Sequence, residues 1–297
     1  MIEVCNLTKA FGGFKALDCL SLTVPTGAVY GIVGPNGAGK STLIRHVTGV
    51  FRPDAGAVRI DGEPVYENSA LKAKTAYIPD DIFHFVTASL RDMEEFYAGL
   101  YPGFDRALYK TLLEAFRLPE RSPIRKFSRG MQKQAAFLLS LCVRPEVLIL
   151  DEPVDGLDPV MRRQVWSLIL QETSERGVTV LVSSHNLREL EDICDHVGIL
   201  HQGRLLLERS LSELQDNAVK VQTALPEGTQ LPTGLQILHD SSVGSVRTLV
   251  LRGKQEQIRA ELEALHPLFL DLLPLSLEEI FIYELGGADY GIRNILL

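Results

Sequence analysis

Residues 34–42 read Gly34-Pro-Asn-Gly-Ala-Gly39-Lys40-Ser41-Thr42, which matches the phosphate-binding pattern G-x-x-x-x-G-K-[ST]. The glycines let the backbone turn tightly, so that successive N–H groups point at phosphate oxygens. The lysine of this pattern reaches the β- and γ-phosphates, and the next hydroxyl ligates Mg²⁺. The sequence therefore predicts a nucleotide phosphate site, with the candidate residues Gly34, Asn36, Gly37, Gly39, Lys40, Ser41 and Thr42.

The segments on both sides of this loop support the match. Val29–Val33 before it is an apolar strand, and the residues from Lys40 to Val47 have helical character. The positive end of a helix that begins at Lys40 adds to an anion site. An accidental glycine-rich turn is the alternative, and the flanking strand and helix argue against it.

Length and composition narrow the class of protein. The chain has 297 residues, of which 45% are hydrophobic, and a net charge of −8. The length favours two domains, or one domain with an extension, and the acidic balance disfavours general binding to nucleic acid. No stretch reaches the roughly 18 apolar residues that a membrane span needs, and residues 1–4 lack a signal-peptide pattern. We therefore expect a cytosolic chain.

The four cysteines are widely spaced and form no C-x-x-C pair. Such spacing favours neither a disulfide framework nor a structural zinc site. We expect all four to be buried, reduced thiols. They are Cys5, Cys19, Cys142 and Cys194.

Hydrophobic patterning predicts an α/β core that is interrupted by helices and followed by a smaller segment. Strands are expected at residues 2–4, 20–24, 29–33, 57–60, 75–78, 147–150, 178–182, 197–200, 219–223, 236–239 and 247–251. Helices are expected at residues 93–100, 106–116, 129–144, 160–176, 186–194, 254–265 and 276–285, the last behind a Ser276–Glu279 capping box. Strands that alternate with helices predict a mostly parallel sheet.

Two carboxylates follow the apolar strand Val147–Leu150. A strand end beside the phosphate loop would let Asp151 hold Mg²⁺ through water, while Glu152 would face the γ-phosphate and polarise the attacking water. Alone, this pattern is as typical of a strand that ends in a turn. Together with the phosphate loop, it predicts a hydrolytic site.

Three further motifs fit a phosphate site. Ser128-Arg129-Gly130 opens a helix, where a hydroxyl and backbone N–H groups can face a phosphate, although a plain serine cap explains the same residues. Asp158 precedes Pro159 and can cap the next helix. His185 follows the strand 178–182, and strand ends in open parallel sheets face the ligand crevice. We expect His185 near the γ-phosphate, although a lone histidine is more often structural.

The order of these motifs resembles that of the ATP-binding subunits of ABC transporters, over residues 2–210. The resemblance implies bound ATP and Mg²⁺, with binding and hydrolysis carried by Lys40, Ser41, Asp151, Glu152 and His185. It implies that Ser128 and Gly130 contact the ATP of the opposite subunit and that Asp158 lies across the dimer interface. Phe11 falls where the family stacks an aromatic ring on adenine, and a core role for Phe11 is the alternative.

Hydrophobic patterning and the resemblance together predict the domain organisation. Residues 1–212 would form an ATP-binding domain, a P-loop NTPase core with a mostly parallel sheet, an antiparallel β subdomain and a helical insertion at about 88–144. Residues 217–285 would form a small α+β C-terminal domain, and 286–297 a tail. Because residues 217–285 carry no phosphate loop, we expect them to be dispensable for the chemistry.

The chain departs from the family pattern at two positions. Arg129 stands where the family signature usually has the first of two glycines. Asp80 stands where the family has a Gln that ligates Mg²⁺ and couples to the membrane subunit. A carboxylate is a better ligand for a hard cation than an amide is, so Asp80 could replace that Gln at the metal and slow turnover. The alternative is an Asp80 side chain turned to solvent or toward the permease.

We interpret the chain as the ATPase subunit of a bacterial exporter. Two such chains, identical or paralogous, would sandwich two ATP–Mg²⁺ and drive a separate transmembrane permease. The chain would lie in the cytoplasm, peripheral on the inner face of the cell membrane, with no nucleic acid partner. The rivals are a soluble ABC-type ATPase that acts on a cytosolic macromolecule and an ATP-binding regulatory module with little turnover.

Overall fold

The computed structural model describes residues 1–82, 85, 87–211, 213, 218–226, 229 and 231–279. Contacts divide the described chain into two units. The first comprises Met1–Asn186 and Ile193–Glu208, and the second comprises Leu187–Asp192 and the described residues from Arg209 onward. In the described part of the chain, no helix is both long enough and apolar enough to cross a membrane.

The chain alternates strands and helices in the first unit and is mainly strands in the second. The strands are β1 Ile2–Phe11, β2 Phe14–Val24, β3 Val29–Val33, β4 Ala55–Ile60, β5 Glu63–Pro64, β6 Thr75–Ile78, β7 Val147–Asp151, β8 Thr179–Ser184, β9 His196–His201, β10 Arg204–Ser210, β11 Ala218–Ala224, β12 Gln236–Val243, β13 Val246–Arg252 and β14 Phe269–Leu273. The helices are α1 Lys40–Val47, α2 Ser69–Lys72, α3 Leu90–Leu100, α4 Arg106–Phe116, α5 Arg129–Cys142, α6 Pro159–Arg176, α7 Leu187–Glu191 and α8 Gln255–Glu263.

A six-stranded sheet forms the centre of the first unit, in the order β10-β9-β3-β8-β7-β6. β3 runs parallel to β8 and β9, and β7 runs parallel to β6 and β8. Every residue of β3, β7 and β8 is buried, as expected of parallel strands that are covered on both faces. The predicted parallel sheet is confirmed. Its strands end at one common edge, which collects the residues that follow β3, β6, β7 and β8.

A second sheet of the first unit, in the order β2-β1-β4-β5, is antiparallel. Its inward side chains join α1 and the central strands in one apolar core, which includes Ile2, Leu20, Tyr30 and Leu43. Turns occur at Gly12-Gly13 and Gly27, with positive φ at all three glycines. The predicted strands 2–4 and 20–24 are longer in the structure, because they pair with each other down to the Phe11–Phe14 turn.

The helical insertion contains α3, α4 and α5. Ser89 opens α3 with a reciprocal capping box, and Asp105 caps α4, accepting from two backbone N–H groups. The apolar stripe of α3 is only partly buried, because Met93 faces the core while Phe96 and Leu100 are exposed. In α4, Tyr109, Leu112 and Phe116 are buried, whereas Leu108 and Leu113 are half-buried.

The second unit is built on an antiparallel sheet in the order β12-β13-β11-β14. Its core joins the inward side chains of β11, β13 and α8, which are Val219, Val221, Leu249, Leu251, Ile258 and Leu262. The capping box is present, since the Ser276 and Glu279 side chains bond reciprocally to each other's backbone N–H. The predicted continuation of that helix to residue 285 and the tail at 286–297 lie outside the described residues, as does most of the expected boundary at 212–217.

Several elements differ from prediction. β10 and β14 were not predicted, because their apolar residues do not alternate cleanly with polar ones along the strand. The helix expected at 186–194 is only α7, and the chain leaves the second unit again after Asp192. Cys142 and Cys194 are buried, but Cys5 and Cys19 are exposed, so the expectation of four buried thiols was wrong for two of them. Burial raises the pKa of Cys142 to about 12.

Candidate functional site

The loop between β3 and α1 needs glycine at two positions for different reasons. A Cβ on Gly34 would lie 2.2 Å from the carbonyl oxygen of Leu200, so no side chain fits there. Gly39 has φ of 111°, and a Cβ there would lie 2.7 Å from the carbonyl oxygen of Ala16. No side chain caps the start of α1, and uncapped N–H groups at a helix start form an anion site.

Lys40 lies at the first position of α1 and is buried. Its Nζ donates to the Gly34 carbonyl oxygen at 2.6 Å and lies 3.4 Å from Glu152 Oε1. The side chains of Lys40 and Glu152 are only 6% and 13% exposed. The loop and the end of β7 therefore meet through a buried ion pair, in which each charge compensates the other.

Glu152 is held by both of its neighbours on the sheet edge. Its Oε2 lies 2.9 Å from His185 Nδ1 and also accepts from the His185 backbone N–H at 3.3 Å. Its own N–H donates to the Ser183 carbonyl and hydroxyl oxygens, each at 3.2 Å. Glu152 adopts φ of 47°, a left-handed conformation that non-glycine residues keep only when their surroundings impose it. Lys40, Glu152 and His185 thus form a continuous chain of contacts.

Asp151 is buried at the end of β7, where it pairs in register with Ser183 of β8. The Ser183 hydroxyl donates to Asp151 Oδ1 at 2.5 Å, so this serine contacts the Asp151 carboxylate and the Glu152 backbone. The sequence analysis gave Ser183 no role. The available signal was its polarity at the end of an apolar strand.

A cleft of about 360 Å³ runs along the phosphate loop. Its walls bring together the candidates Asn36, Gly37, Gly39, Lys40, Ser41, Thr42, Phe11, Asp80 and Glu152. Phe11 is 45% exposed, its ring makes a T-shaped contact with Phe51 with centroids 5.6 Å apart, and Lys9 Nζ lies over the ring, 5.6 Å from its centroid. Phe14 lines the cleft as well and was overlooked; it follows the Gly12-Gly13 turn directly.

Ser128, Gly130 and Asp158 are absent from the described walls of this cleft. Ser128 is exposed and caps α5, accepting from the Met131 N–H at 3.3 Å. Asp158 caps α6 through two N–H groups at 3.0 Å. Gly130 lies against the loop before α6, because a Cβ on it would sit 3.6 Å from Leu157. Arg129 beside it is exposed.

Asp80 has a partner that the sequence did not predict. Its Oδ1 lies 3.5 Å from Nζ of Lys133 in α5, and its side chain is 54% exposed. The same Nζ donates to the Glu152 carbonyl oxygen at 2.7 Å. The sequence offered two alternatives for Asp80, a metal ligand or a side chain turned to solvent or toward the permease. Neither alternative included the charged neighbour Lys133.

The donors at this edge suit a hard cation. Ser41 and Asp151 carry oxygen atoms of the kind that Mg²⁺ prefers, and the described residues contain no cluster of three or more His, Cys, Asp or Glu that would form a protein-only metal cage. Mg²⁺ commonly binds through one or two protein oxygens plus phosphate. Burial, with the Asp151 charge adding to it, raises the pKa of Tyr77 in β6 to about 12, so this phenol stays neutral.

The sequence and the fold of the chain resemble those of known proteins. A family model described as ABC transporter matches residues 17–155, and one described as AAA domain, putative AbiEii toxin, Type IV TA system matches residues 120–191. The chain is 31% identical to the ABC transporter ATP-binding protein YtrB of Bacillus subtilis (strain 168), over 97% of this chain and 99% of the relative. It is 34% identical to the daunorubicin resistance ATP-binding protein DrrA3 of Streptomyces coeruleorubidus, over 80% and 77%.

A solved structure of an ATP-binding subunit of an ABC transporter also superimposes on the chain. It is 29% identical, with a TM-score of 0.67, over 72% of this chain and 92% of that one. The predicted α/β P-loop fold is therefore confirmed.

Proposed function

The chain belongs to the ABC transporter family as an ATP-binding subunit that hydrolyses ATP, and on that premise we propose that it powers export through a separate transmembrane permease. The observation that carries the proposal is the Lys40–Glu152–His185 chain of contacts at the phosphate loop. Each of the three side chains would serve a distinct part of phosphoryl transfer.

Lys40 would leave the Gly34 carbonyl and neutralise the β- and γ-phosphates, because a phosphate is a stronger partner for an ammonium than a carbonyl is. That movement frees Glu152 from its cation, and the carboxylate becomes available to accept a proton from water. His185, at 2.9 Å from the other carboxylate oxygen, holds Glu152 in place. Mg²⁺, when bound, would neutralise phosphate charge; Ser41 and Asp151 would hold it, with Asp80 as a further candidate.

The candidate residues that do not line the cleft support a dimer. Ser128 and Gly130 open α5 on a surface away from the described cleft walls, and Asp158 opens α6 beside them. The start of α5, where Ser128 and Gly130 lie, suits a phosphate. We assign Ser128 and Gly130 to the ATP of a second subunit, identical or paralogous, and Asp158 to the dimer interface, so that each site would be completed only in the dimer.

A surface for the permease is supported by exposed apolar side chains on α3 and just before it. Phe85, Phe96 and Leu100 are exposed, and the Phe85 and Phe96 rings meet edge to face at 5.5 Å. Clustered exposed aromatic residues mark interaction sites. A membrane-embedded partner would hold the chain at the cytoplasmic face of the membrane. Export is supported by the resistance named for the relative from Streptomyces coeruleorubidus.

Light scattering with Mg-ATP tests the dimer. Glu152→Gln keeps the shape of the side chain but loses proton acceptance, so it should accumulate a species of twice the 32.9 kDa chain mass. The double variant Lys40→Ala/Glu152→Gln, which should not retain ATP, serves as the matched control and should stay monomeric. A Glu152→Gln protein that stays monomeric at high concentration with bound ATP would contradict the sandwich. A dimer without nucleotide would point to the second unit instead.

A further inference from the structure

One buried lysine of α5 has no role in the site described so far. Lys133 is 7% exposed, and its Nζ contacts two groups of the cleft, the Glu152 carbonyl oxygen at 2.7 Å and Asp80 Oδ1 at 3.5 Å. A buried ammonium is stable only when it is hydrogen-bonded and its charge is compensated. Asp80 supplies the charge and Glu152 the short hydrogen bond.

Lys133 completes the restraints on Glu152. The Glu152 N–H is held by Ser183, and its carboxylate by Lys40 and His185. Lys133 holds the remaining polar group, the carbonyl oxygen. A left-handed residue keeps its conformation only while its surroundings impose it, and the conformation of Glu152 sets the direction of its carboxylate.

Lys133 also accounts for the acidic residue in place of the family's Gln. An isolated carboxylate on the cleft wall would repel the phosphates of ATP. The Lys133 ammonium offsets that charge from the side of α5. Asp80 would therefore be the charge partner of a lysine, and its side chain would not be needed to ligate the metal.

We propose that Lys133 is a positioning residue that fixes the peptide of Glu152 for water activation, with Asp80 as its charge partner. The proposal rests on the proposed function, in which Glu152 activates water. It also links two parts of the site, because Lys133 lies on the helix that Ser128 caps, five residues or about 8 Å along its axis. A ligand at the start of α5 would thus act on the same rigid element that holds Glu152.

Steady-state kinetics of Lys133→Met test the positioning role. Methionine keeps the apolar stem without the ammonium, so kcat should fall by about tenfold to 100-fold, which is the range for a lost charge-assisted hydrogen bond. The Kd for a fluorescent ATP analogue should stay within about twofold, because Lys133 does not touch the phosphate loop. Lys133→Arg should recover part of kcat. Lys110→Met, on the exposed surface of α4, is the matched control.

A wild-type kcat in Lys133→Met would overturn the positioning role, and so would a loss of ATP affinity with kcat retained. Thermal melting checks that the variants fold, and Lys133→Gln is the second variant if methionine is not tolerated. A Glu152→Gln protein that hydrolyses ATP normally would instead refute the proposed function. The two failures are therefore distinguishable.

A double-mutant cycle tests the charge partner independently. If Asp80 and Lys133 are paired, Lys133→Met should cost at least about threefold less in kcat in the Asp80→Asn background than in the wild type. The Mg²⁺ concentration for half-maximal rate should be the same in Asp80→Asn and the wild type. Additive effects together with a shifted Mg²⁺ dependence would overturn the pairing and identify Asp80 as a metal ligand.

Discussion

Each unit of this chain contains an ion pair that joins two neighbouring elements, and the two pairs differ in burial. Lys40 and Glu152 of the first unit are 6% and 13% exposed. Arg247 and Asp240 of the second unit, on β13 and β12, are 35% and 36% exposed. A buried pair costs desolvation energy that its own attraction hardly repays, whereas an exposed pair costs little and contributes little. The first unit therefore keeps a buried ion pair beside the phosphate loop, in spite of its cost in desolvation energy.

The central sheet of the first unit and the sheet of the second unit also differ in burial. The central strands of the first unit are buried on both faces, so polar side chains concentrate at their carboxyl ends, where the sheet opens into the cleft. The strands β11 and β12 of the second unit are partly exposed, and its small core consists of side chains from β11, β13 and α8, with Leu270 and Leu272 of β14 packed against it. We infer that the chemistry belongs to the first unit and that the second unit is a separately stabilised addition.

The largest expected effect is on nucleotide binding by the first unit. Lys40→Ala removes the cation that the phosphates need and also leaves Glu152 unpaired in the cleft. The affinity for Mg-ATP should fall by about 100-fold, the upper range for a charge-assisted contact. Titration calorimetry measures it, with Lys15→Ala as a control, since Lys15 is exposed and paired with Asp18. Unchanged affinity would remove Lys40 from the site.

A core substitution in the second unit should show that the stability of this unit and ATP binding by the first unit are independent. Leu249 is fully buried at the centre of β13, so Leu249→Ala should lower the free energy of unfolding of this unit by about 2–5 kcal/mol. Mg-ATP affinity should stay unchanged, because the cleft lies in the first unit. Denaturant unfolding with hydrogen exchange reports both units. Leu268→Ala, at an exposed position, is the control, and loss of ATP binding in Leu249→Ala would show that the units depend on each other.

The exposed ion pair should give the smallest effect. The Arg247 guanidinium holds the pKa of Asp240 below its usual range. Because the folded pKa is depressed, the pair stabilises the fold above the unfolded pKa of about 3.9, and the contribution is lost as the pH falls through the folded value. Asp240→Asn should therefore cost less than about 1 kcal/mol at pH 7. A urea series at pH 7 and pH 3 in two salt concentrations measures it; a cost that is large and independent of salt would contradict the comparison.

The order of the sequence motifs predicted the site residues that follow strands. It did not predict site residues whose position depends on how the helices pack against the sheet. Lys40, Glu152 and His185 each follow a recognisable apolar strand, so their meeting at one sheet edge follows from parallel topology. Lys133 is 19 residues from Glu152 and 53 from Asp80 along the chain, and within a helix it has the pattern of a surface lysine. Only the packing of α5 against the sheet edge buries it.

Sequence periodicity has the same limitation for the apolar residues of α3, because it does not show which of them are buried. Phe96 and Leu100 share a helical period with buried Met93, and periodicity cannot distinguish a stripe that faces the core from one that continues onto a binding surface. Phe14 and Ser183 lie next to residues that were recognised, but their roles depend on which side chains reach the cleft and which register pairs β7 with β8.

The central claim is that Glu152, held between Lys40 and His185, activates water for ATP hydrolysis in the first unit. Phosphate release and ATP binding, measured side by side on the wild type and Glu152→Gln at saturating Mg-ATP, test it most directly. We predict that the wild type releases phosphate. Glu152→Gln should bind ATP with similar affinity but release phosphate at least about 100-fold more slowly, in the range for a lost general base. Wild-type phosphate release by Glu152→Gln would contradict the account.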